Sequence, residues 1–372
     1  MRLRIERGAL LKSLSHVQNV VERRTTIPIL AHVRLDAGEG ELALTATDLD
    51  LALAIRDAAE VLRAGATTAP AHLLFELVRK LPEGATVELE QEPGGGMLAV
   101  RTGRFTSELP TLPVEEFPAL GEEAFDVTFA IPAGDLARAI DKVRFAISTE
   151  ETRYYLNGIH FHPLLEGAAS VLRAVATDGH RLARVEVPLP EGARAMPGII
   201  VPRKAVAEMR KLLEECEGEV TIAVSPSRIR LDADGRVLIS RLIDGQFPDY
   251  ERVIPKQNDK IAHLATEDFA RAVDRVSTIA TERLRAVKLA FSSSTVIVSA
   301  VSAESGRASE EVDVEYEGEP LEIGFNARYI LDILGEIEGE QARMEMTMAA
   351  APVLVRDPGD PSVLYVLMPM RV

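Results

Sequence analysis

Three stretches of this chain carry the same pattern of apolar residues, and each stretch is long enough to form a helix. They cover residues 6–24, 132–148 and 267–285. In each stretch the apolar residues fall at offsets of 0, 4, 7 and 11, which places them on one face of a helix with 3.6 residues per turn. The matching residues are Leu10, Leu14, Val17 and Val21, then Leu136, Ile140, Val143 and Ile147, then Phe269, Val273, Val276 and Ala280. The chain is therefore predicted to contain three copies of one folding unit, whose spacing is far longer than that of a solenoid repeat.

A second, shorter helix pattern follows in every copy, after a segment that alternates apolar and polar residues. The apolar residues of this second pattern are Leu74, Leu77 and Leu81, then Val206, Met209 and Leu213, then Ile330, Ile333 and Ile337. The alternating segments cover 40–57, 170–187 and 294–312, and their period of two is typical of strands joined by turns. One copy is therefore predicted to run helix, strands, helix, strands over about 130 residues, an ordinary size for a domain with its own core.

Proline, glycine and acidic residues cluster at the two places where one copy gives way to the next, at 113–125 and 247–260. Such clusters are typical of linkers between domains. We therefore predict three domains with the boundaries 1–124, 125–256 and 257–372. The fold class is α+β, with two helices packed on antiparallel sheets in each domain.

The composition is that of a folded protein, since 47% of the 372 residues are hydrophobic. No apolar run reaches the ~18 residues that indicate a transmembrane helix. The first residues are charged and lack the apolar core of a signal peptide, and the single cysteine, Cys216, cannot form an internal disulfide. We therefore expect a cytoplasmic protein with no membrane partner.

The net charge of −16 at pH 7 would repel DNA if it were spread evenly. The predicted helices carry a positive excess, however, and the acidic excess lies in the strands and loops. Basic residues recur at equivalent helix positions opposite the apolar face, namely Lys12 and His16, then Arg138 and Lys142, then Arg271 and Arg275. On one helix such residues would simply face solvent, but their recurrence in three copies favours an anionic partner.

Five sequence motifs in a fixed order connect the chain to a known family. They are TRYYLNGIHF at 152–161, ATDGHRLA at 176–183, IVPRKAV at 200–206, FPDYERVIP at 247–255 and YVLMPMRV at 365–372. Together with TTIPILAHVRL and TATDLDLA near the N-terminus, they are similar to the bacterial sliding clamps, the beta subunits of DNA polymerase III. The resemblance is collinear over essentially the whole chain.

This resemblance implies a DNA polymerase processivity factor, a function without catalysis or cofactors. In the family, two three-domain chains associate head to tail into a closed ring, with the helices inside and the sheets outside. The ring encircles duplex DNA without sequence specificity, because contacts of lysine and arginine with phosphates carry no sequence information and permit sliding. The implied partners are double-stranded DNA, a second copy of the chain as a homodimer, the clamp loader, the catalytic subunit of the replicative polymerase, translesion and repair polymerases, and other DNA-repair proteins. The implied location is the cytoplasm, in association with the nucleoid.

The candidates for contact with DNA are basic or aromatic residues, and several of them match positions that the family uses near DNA. They are Arg24, Arg79, Lys80, Arg138, Lys142, Tyr154, Tyr155, Arg203, Lys204, Arg271 and Arg275. Tyr154 and Tyr155 would stack on exposed bases or contact the backbone. The alternative is that at least one of these two rings packs in the core.

The sequence TDGHR in the second copy replaces TDLDL in the first and VSAES in the third. The resemblance implies that this segment forms an apolar pocket for short peptides that carry a leucine and an aromatic residue. The residues that match the pocket are Leu156, Thr177, Gly179, His180, Arg181, Leu182, Pro248, Arg252, Val253, Ala350, Pro352, Leu367, Met368, Pro369, Met370 and Arg371. Methionine side chains adapt to several partners, and Arg181 and Arg252 are expected at the rim, where they would meet acidic or carbonyl groups of the peptide.

Two further comparisons with the family concern binding strength and the dimer. Ala350 and Pro352 stand where other members carry a valine and a serine, so the affinity for peptides is expected to differ. Leu109 and Ile279 fall near the positions of the head-to-tail interface and are the candidate interface residues.

The sequence contains no P-loop, no G-x-G-x-x-G after a strand and no G-x-S-x-G elbow. One catalytic alternative is a metal-dependent hydrolase that uses His160, His162, Asp178 and His180, since residues i and i+2 of a strand share a face. A scaffold protein that never encircles DNA is another alternative. The resemblance favours the clamp over both, and we predict that the chain is not an enzyme and binds no metal.

Overall fold

The computed structural model describes residues 1–119, 124–166, 169–280 and 285–371. Within these residues it contains six α-helices, which are α1 (Arg7–Val20), α2 (Ala71–Arg79), α3 (Ala133–Arg144), α4 (Arg203–Leu213), α5 (Thr266–Ser277) and α6 (Ala327–Leu334). Each of them falls on a predicted helix pattern, so the prediction of two helices in every copy is confirmed. Across the same described ranges, no helix is long and apolar enough to cross a membrane.

The first helix of each copy ends earlier than its apolar pattern predicts. α1 ends at Val20, and the next apolar position, Val21, has extended backbone angles (φ −71°, ψ 125°) although it is only 4% exposed. Ile147 is likewise buried but lies beyond the end of α3. The last apolar position of the pattern therefore reaches the core from beyond the helix end, which periodicity alone cannot distinguish from another helical turn. Residues 281–284 of the third predicted helix lie outside the described residues.

Twenty-five strands alternate with these helices in the described part of the chain. In chain order they are β1 (Arg2–Glu6), β2 (His32–Gly38), β3 (Glu41–Thr47), β4 (Leu51–Ala58), β5 (Glu60–Arg63), β6 (Gly65–Pro70), β7 (Thr86–Glu90), β8 (Met97–Thr102), β9 (Phe105–Pro110), β10 (Val127–Pro132), β11 (Gly158–Glu166), β12 (Ala169–Thr177), β13 (Arg181–Pro188), β14 (Ile199–Pro202), β15 (Glu219–Val224), β16 (Arg228–Ala233), β17 (Arg236–Arg241), β18 (Lys260–Ala265), β19 (Ala286–Phe291), β20 (Thr295–Ser302), β21 (Gly306–Glu317), β22 (Leu321–Asn326), β23 (Gln341–Met346), β24 (Val353–Asp357) and β25 (Asp360–Leu367). All named pairs are antiparallel. The three alternating segments of the sequence form the hairpins β3–β4, β12–β13 and β20–β21.

The described chain divides into two compact units, each with its own sheets. The first unit consists of residues 1–137, 190–196 and 204–242. It holds a five-stranded sheet in the order β5-β1-β7-β8-β9 and an eight-stranded sheet in the order β10-β15-β16-β17-β4-β3-β2-β6. The apolar face of α1 is buried, with Leu10, Leu14 and Val17 completely inaccessible.

The second unit consists of residues 138–189, 197–203 and 243–372. It holds one twelve-stranded sheet, in the order β14-β11-β12-β13-β25-β24-β23-β18-β21-β20-β19-β22. On α5 the predicted apolar residues Phe269 and Val273 are completely buried, so the amphipathic pattern is confirmed here as well.

Each large sheet combines strands from two of the predicted domains. In the first unit β4 pairs with β17, and in the second unit β13 pairs with β25. The backbone hydrogen bonds of these strand pairs cross the predicted domain boundaries. A division of the chain by its internal contacts therefore gives two units and not three. The boundaries at 124 and 256 remain a prediction.

Candidate functional site

The turn between β12 and β13 holds the TDGHR sequence in a hydrogen-bonded loop. The Thr177 hydroxyl accepts the Gly179 N–H (3.1 Å) and donates to the Arg181 carbonyl (2.7 Å). The Asp178 carboxylate accepts the N–H groups of His180 (2.9 Å) and Arg181 (3.0 Å). Gly179 has a φ of +88°, which favours glycine because other residues would be strained there. The turn is therefore rigid, and local sequence determines its shape.

Arg181 is not at the rim of the pocket, as the sequence led us to expect, but inside the protein. It is only 7% exposed, and its guanidinium donates to the carboxylate of Asp332 (2.5 Å) and to the carbonyl of Phe145 (2.6 Å). The guanidinium also lies over the ring of Tyr329, 4.4 Å from its centroid. A donor group occupied in this way is not available to a peptide carboxylate. The residue instead fastens the turn to α6 and to the segment after α3.

An apolar cluster lies beside this turn and forms the floor of the candidate pocket. It includes the predicted residues Leu156 and Leu182, and Met368 packs against it. The other buried members are Val175, Ile200, Phe247, Tyr250, Leu354, Leu364 and Val366. The Met368 N–H donates to the His180 carbonyl (2.9 Å), so the C-terminal segment is tied directly to the turn.

The residues after β25 line one cavity, and a second cavity involves another predicted residue. One cavity of about 540 Å³ is lined by the predicted residues Ala350, Pro369, Met370 and Arg371. A cavity of about 680 Å³ includes the predicted Arg252. Leu367 itself is fully buried in β25. The structure therefore brings the C-terminal candidates together around open space, while Leu367 contributes to the core beneath them.

Four other candidates lie at the surface near this region. Arg252 is exposed and pairs with Asp249 (2.7 Å), and Pro248 and Val253 are also exposed. His180 is exposed and stacks on a tyrosine of α6 at 6.2 Å between ring centroids. Of the two altered wall positions, Ala350 is exposed and Pro352 is half-buried. Val372 lies outside the described residues.

The sequence reasoning selected Pro248 from the FPDY motif but missed Phe247 and Tyr250, which are buried in the pocket floor. The signal was present, because large aromatic side chains in an otherwise polar loop are expected to be buried. Phe247 stacks on His160 at 4.7 Å, and the Tyr250 hydroxyl lies 2.8 Å from Nε2 of His162.

These contacts also explain why the histidines do not form a metal site. Burial, with a smaller contribution from the neighbouring His162, lowers the pKa of His160 to about 4. Asp178 is occupied by its own turn and by the Arg181 guanidinium (3.1 Å). Among the residues that the structure describes, no group of three histidine, cysteine or carboxylate side chains could hold a metal ion. The hydrolase alternative therefore has no structural support.

The candidates for DNA contact fall into two groups, and the first group is exposed. Arg24, Lys80 and Arg203 are exposed and form no ion pair with any residue of the described ranges. Arg79, Arg271 and Arg275 are also exposed but pair with Glu76, Asp268 and Glu310, respectively. Tyr154 is 54% exposed, whereas Tyr155 packs against the pocket floor. Tyr155 is half-buried, so it comes closer to the alternative of a packed ring than Tyr154 does.

The second group is engaged within the protein. Lys142 is only 5% exposed and donates to the Glu336 carbonyl (2.5 Å) and the Glu338 carboxylate (2.7 Å). Arg138 pairs with Asp360, and Lys204 pairs with Asp48 and donates to the carbonyl of Val20 (2.8 Å). These three side chains must leave their present partners before they can contact a phosphate.

The equivalent positions of α1 are engaged in the same way as those of α3. The Glu215 carboxylate lies 3.1 Å from Nζ of Lys12 and 3.1 Å from Nε2 of His16. Burial works against the charge of Glu215, but the hydrogen bonds from these two residues outweigh it, so that the pKa of the carboxyl is lowered. The basic residues that recur along the first helix of each copy therefore serve, in α1 and α3, to join that helix to acidic residues after α4 and α6.

Comparison with known protein families accounts for nearly the whole chain. The family model for the N-terminal domain of the DNA polymerase III beta subunit matches residues 1–121, that for the central domain matches 130–249, and that for the C-terminal domain matches 251–371.

Individual relatives and solved structures agree with these matches. The chain is 51% identical to the beta sliding clamp of Caulobacter vibrioides over 372 residues and 37% identical to that of Escherichia coli over 374 residues, with complete coverage of both chains in each case. A crystal structure of the Caulobacter crescentus clamp superimposes with a TM-score of 0.96, covering 100% of this chain and 99% of that one. A Bartonella birtlesii sliding clamp bound to griselimycin is 45% identical and superimposes with a TM-score of 0.97 over the full length of both chains. By sequence and by fold, the chain belongs to the beta sliding clamp family, the beta subunits of DNA polymerase III, which are DNA polymerase processivity factors and not enzymes.

Proposed function

We propose that two copies of this chain associate head to tail into a ring around duplex DNA, and that the pocket at the TDGHR turn tethers DNA enzymes to this ring. The observation that carries the proposal is a junction between domains that the chain forms twice with itself. A third junction of the same kind would need a second copy. The chain's own repeat therefore supports the dimer.

The two junctions pair equivalent strands, and both pairings are antiparallel. In one, β4 pairs with β17 and Ala52 lies opposite Ile239. In the other, β13 pairs with β25 and Leu182 lies opposite Val366. Ala52 and Leu182 are equivalent, because each faces the threonine of its own hairpin turn.

The strands that would form a third junction are not paired with each other within the described residues. β9, the equivalent of β17 and β25, pairs only with β8, and residues 306–312 of β21 pair only with β20. Unpaired strand edges are templates for association with another chain. The repeat predicts that β21 of one copy pairs antiparallel with β9 of another. Leu109 lies in this same strand, although its side chain is buried, and Ile279 is a half-buried residue just after α5.

The ion pairs repeat along with the strands. Arg275 of α5 stands at the position of His16 and Lys142, and Glu83 after α2 stands at the position of Glu215. Because the other two junctions join such residues, Arg275 is predicted to meet Glu83 of the second copy rather than a phosphate. The main candidates for DNA contact are then Arg24, Lys80 and Arg203, which are exposed and form no ion pair with a described residue.

The mass of the protein in solution tests the dimer. Sedimentation of the purified chain at micromolar concentration is expected to give twice the mass of one chain.

Proline variants of β9 test which strand edge forms the dimer. Successive backbone N–H groups of β9 point alternately to β8 and to the open edge, and a proline removes one of these donors. Of the neighbouring variants Thr106→Pro and Ser107→Pro, one is expected to weaken the dimer while leaving the unfolding of the monomer unchanged. A monomeric wild-type chain would contradict the proposal.

Topological binding to DNA is tested on nicked circular DNA. After loading by a clamp loader, the protein is expected to stay on the circle through gel filtration and to be released when the circle is cut. Retention on linear DNA would indicate ordinary binding, and failure to stay on the circle would count against the ring.

The pocket is proposed to bind short peptides from the clamp loader, the replicative polymerase and repair polymerases. Supporting this are the apolar floor, the two cavities lined by predicted residues and the half-buried segment that contains Met368 and Met370. Deletion of residues 368–372 is expected to abolish binding of a peptide from the polymerase catalytic subunit and to leave the dimer mass unchanged. Normal peptide affinity in the truncated chain would show that the pocket is assigned wrongly.

A further inference from the structure

The loop of residues 247–253, called the wall loop below, contributes three exposed residues to the proposed peptide pocket. These residues are Pro248, Arg252 and Val253. The second half of the loop is a 3₁₀-helix of only four residues, Tyr250–Val253, and a helix this short is not stable by itself. The position of the exposed residues therefore depends on contacts made by the inner side of the loop.

The inner side of the wall loop faces two histidines of β11. The ring of Phe247 stacks on that of His160, with 4.7 Å between the centroids and an interplanar angle of 12°. His160 stacks in turn on His162 at 5.0 Å, and the Tyr250 hydroxyl lies 2.8 Å from Nε2 of His162. The two histidines of the rejected hydrolase alternative are therefore contact partners of the wall loop.

The hydrogen bonds around Tyr250 run in one direction. Nδ1 of His162 lies 3.3 Å from the carbonyl of Pro163, which can only accept, so Nδ1 carries the ring proton. Nε2 then accepts from the Tyr250 hydroxyl, whose oxygen accepts from the Arg173 guanidinium (3.2 Å). Burial lowers the pKa of His162, which favours this neutral ring. Tyr250 is therefore held from both sides, by β11 and by β12.

Glu251 fastens the same loop to β12 and β13 by ion pairs. Its carboxylate lies 2.5 Å from Nη1 of Arg173 and 3.5 Å from Nη1 of Arg184. Glu186 lies opposite Arg173 in the ladder, 2.7 Å from its Nε. The side chains of Arg173 and Arg184 are only 12% and 15% exposed. Loss of the Glu251 charge would leave these two largely buried arginines with Glu186 as the remaining acid of the cluster, which is unfavourable.

We propose that Glu251 is a positioning residue, which holds the wall loop in the conformation that accepts a peptide. Without its carboxylate the loop would leave this position for part of the time, while the apolar floor stays in place. A peptide would then bind only the molecules whose wall loop is in position, and the apparent affinity would fall by that fraction. The link to peptide binding rests on the proposed function, whereas the attachment of the loop to β12 and β13 does not.

Glu251→Gln tests this proposal, because glutamine keeps the size of the side chain and removes its charge. A peptide from the polymerase catalytic subunit is expected to bind the full-length variant about fivefold more weakly, as for a loop in position in about one fifth of the molecules. In stopped-flow measurements the association rate constant should fall by this factor. The dissociation rate constant should stay unchanged, because the complex already contains the ordered loop.

Glu345→Gln is the matched control for the loss of charge. Glu345 lies between Arg343 (3.1 Å) and Arg356 (3.2 Å), so it is also a carboxylate shared by two arginines, but it lies on β23 and not on the wall loop. Both rate constants should keep their wild-type values in this variant. An unchanged association rate in Glu251→Gln would overturn the positioning role. Faster dissociation alone would also overturn it, since Glu251 would then contact the peptide directly.

The free protein reports on the loop without any peptide. In methyl relaxation dispersion, Val253 is expected to show exchange on the microsecond-to-millisecond timescale in Glu251→Gln but not in the wild type, while Met368 stays unchanged. If Val253 shows no such exchange, the inference fails even where the peptide binds normally to the wild type. A wild-type chain that binds no peptide would contradict the proposed function, and exchange at Val253 would still support the attachment of the loop by Glu251.

Discussion

Gly179 and Leu49 occupy the same position in two equivalent turns, with φ near +88° and +82°. At Gly179 an added Cβ would also lie 2.5 Å from Nη1 of Arg153, a side chain that pairs with Glu150 (2.7 Å). Gly179→Ala is therefore expected to lower the free energy of unfolding by about 1–2 kcal/mol from the backbone alone, with a small further loss because the flexible Arg153 side chain must shift. Urea denaturation measures the change.

Gly40→Ala is the matched control for this variant. Gly40 has a φ of +81° and nothing within 4 Å of an added Cβ, so it reports the backbone cost without the clash. If Gly179→Ala costs no more than Gly40→Ala, the contact with Arg153 contributes nothing to stability.

His160 should make the stability of the protein depend on pH. Burial lowers its pKa from 6.5 to about 4, so the unfolded chain binds a proton there before the folded chain does. Stability is therefore expected to fall as the pH drops from about 6.5 toward 4. This residue alone should lower the free energy of unfolding by about 2 kcal/mol between pH 7 and pH 5. Urea denaturation at both pH values should show a smaller loss in His160→Gln, and an unchanged loss would exclude His160 as the cause.

The helices present basic residues with two different tasks, and variants can separate them. Lys142 of α3 is buried and bound to Glu336 and Glu338, whereas Arg203 at the start of α4 is exposed without an ion pair to any described residue. Lys142→Met is expected to lower the free energy of unfolding by about 1.5–3 kcal/mol, because it removes hydrogen bonds of a charged donor. The salt dependence of DNA binding should stay unchanged in this variant.

Arg203→Ala is expected to give the opposite result. Its stability should stay within about 0.5 kcal/mol of the wild type, while the slope of log K for DNA against log salt should decrease by about one. Equilibrium binding to a linear duplex at several salt concentrations measures the slope. Equal slopes for Arg203→Ala and the wild type would remove Arg203 from the DNA-contact residues.

The two ion-pair clusters between domains predict a third across the proposed dimer. Arg275→Glu or Glu83→Arg alone is expected to weaken the dimer by roughly fivefold, since a surface ion pair contributes up to about 1 kcal/mol. The double variant should recover affinity, because the reversed charges attract again. Sedimentation equilibrium gives the dissociation constants, with Lys288→Glu as a control for a change of charge elsewhere. Additive effects in the double variant would show that these residues do not meet.

Much of the fold is readable from the order of the residues, because helix and strand periodicity reflects which side chains must be buried. The six helices, the three hairpins and the turn at Gly179 follow from local pattern and local hydrogen bonds. The helix ends do not, because Val21 and Ile147 lie beyond the ends of their helices but are buried at positions that continue the helical spacing.

The partners of the charged residues depend on segments far apart in the chain. The sequence places Lys142, Arg181 and Arg203 among similar basic residues, and nothing local distinguishes them. Tertiary packing brings Glu338 to Lys142 and Asp332 to Arg181 while it leaves Arg203 in solvent. Periodicity records only whether a side chain must be buried, whereas the availability of a charge for DNA or peptide depends on which opposite charge the fold brings within a few ångströms.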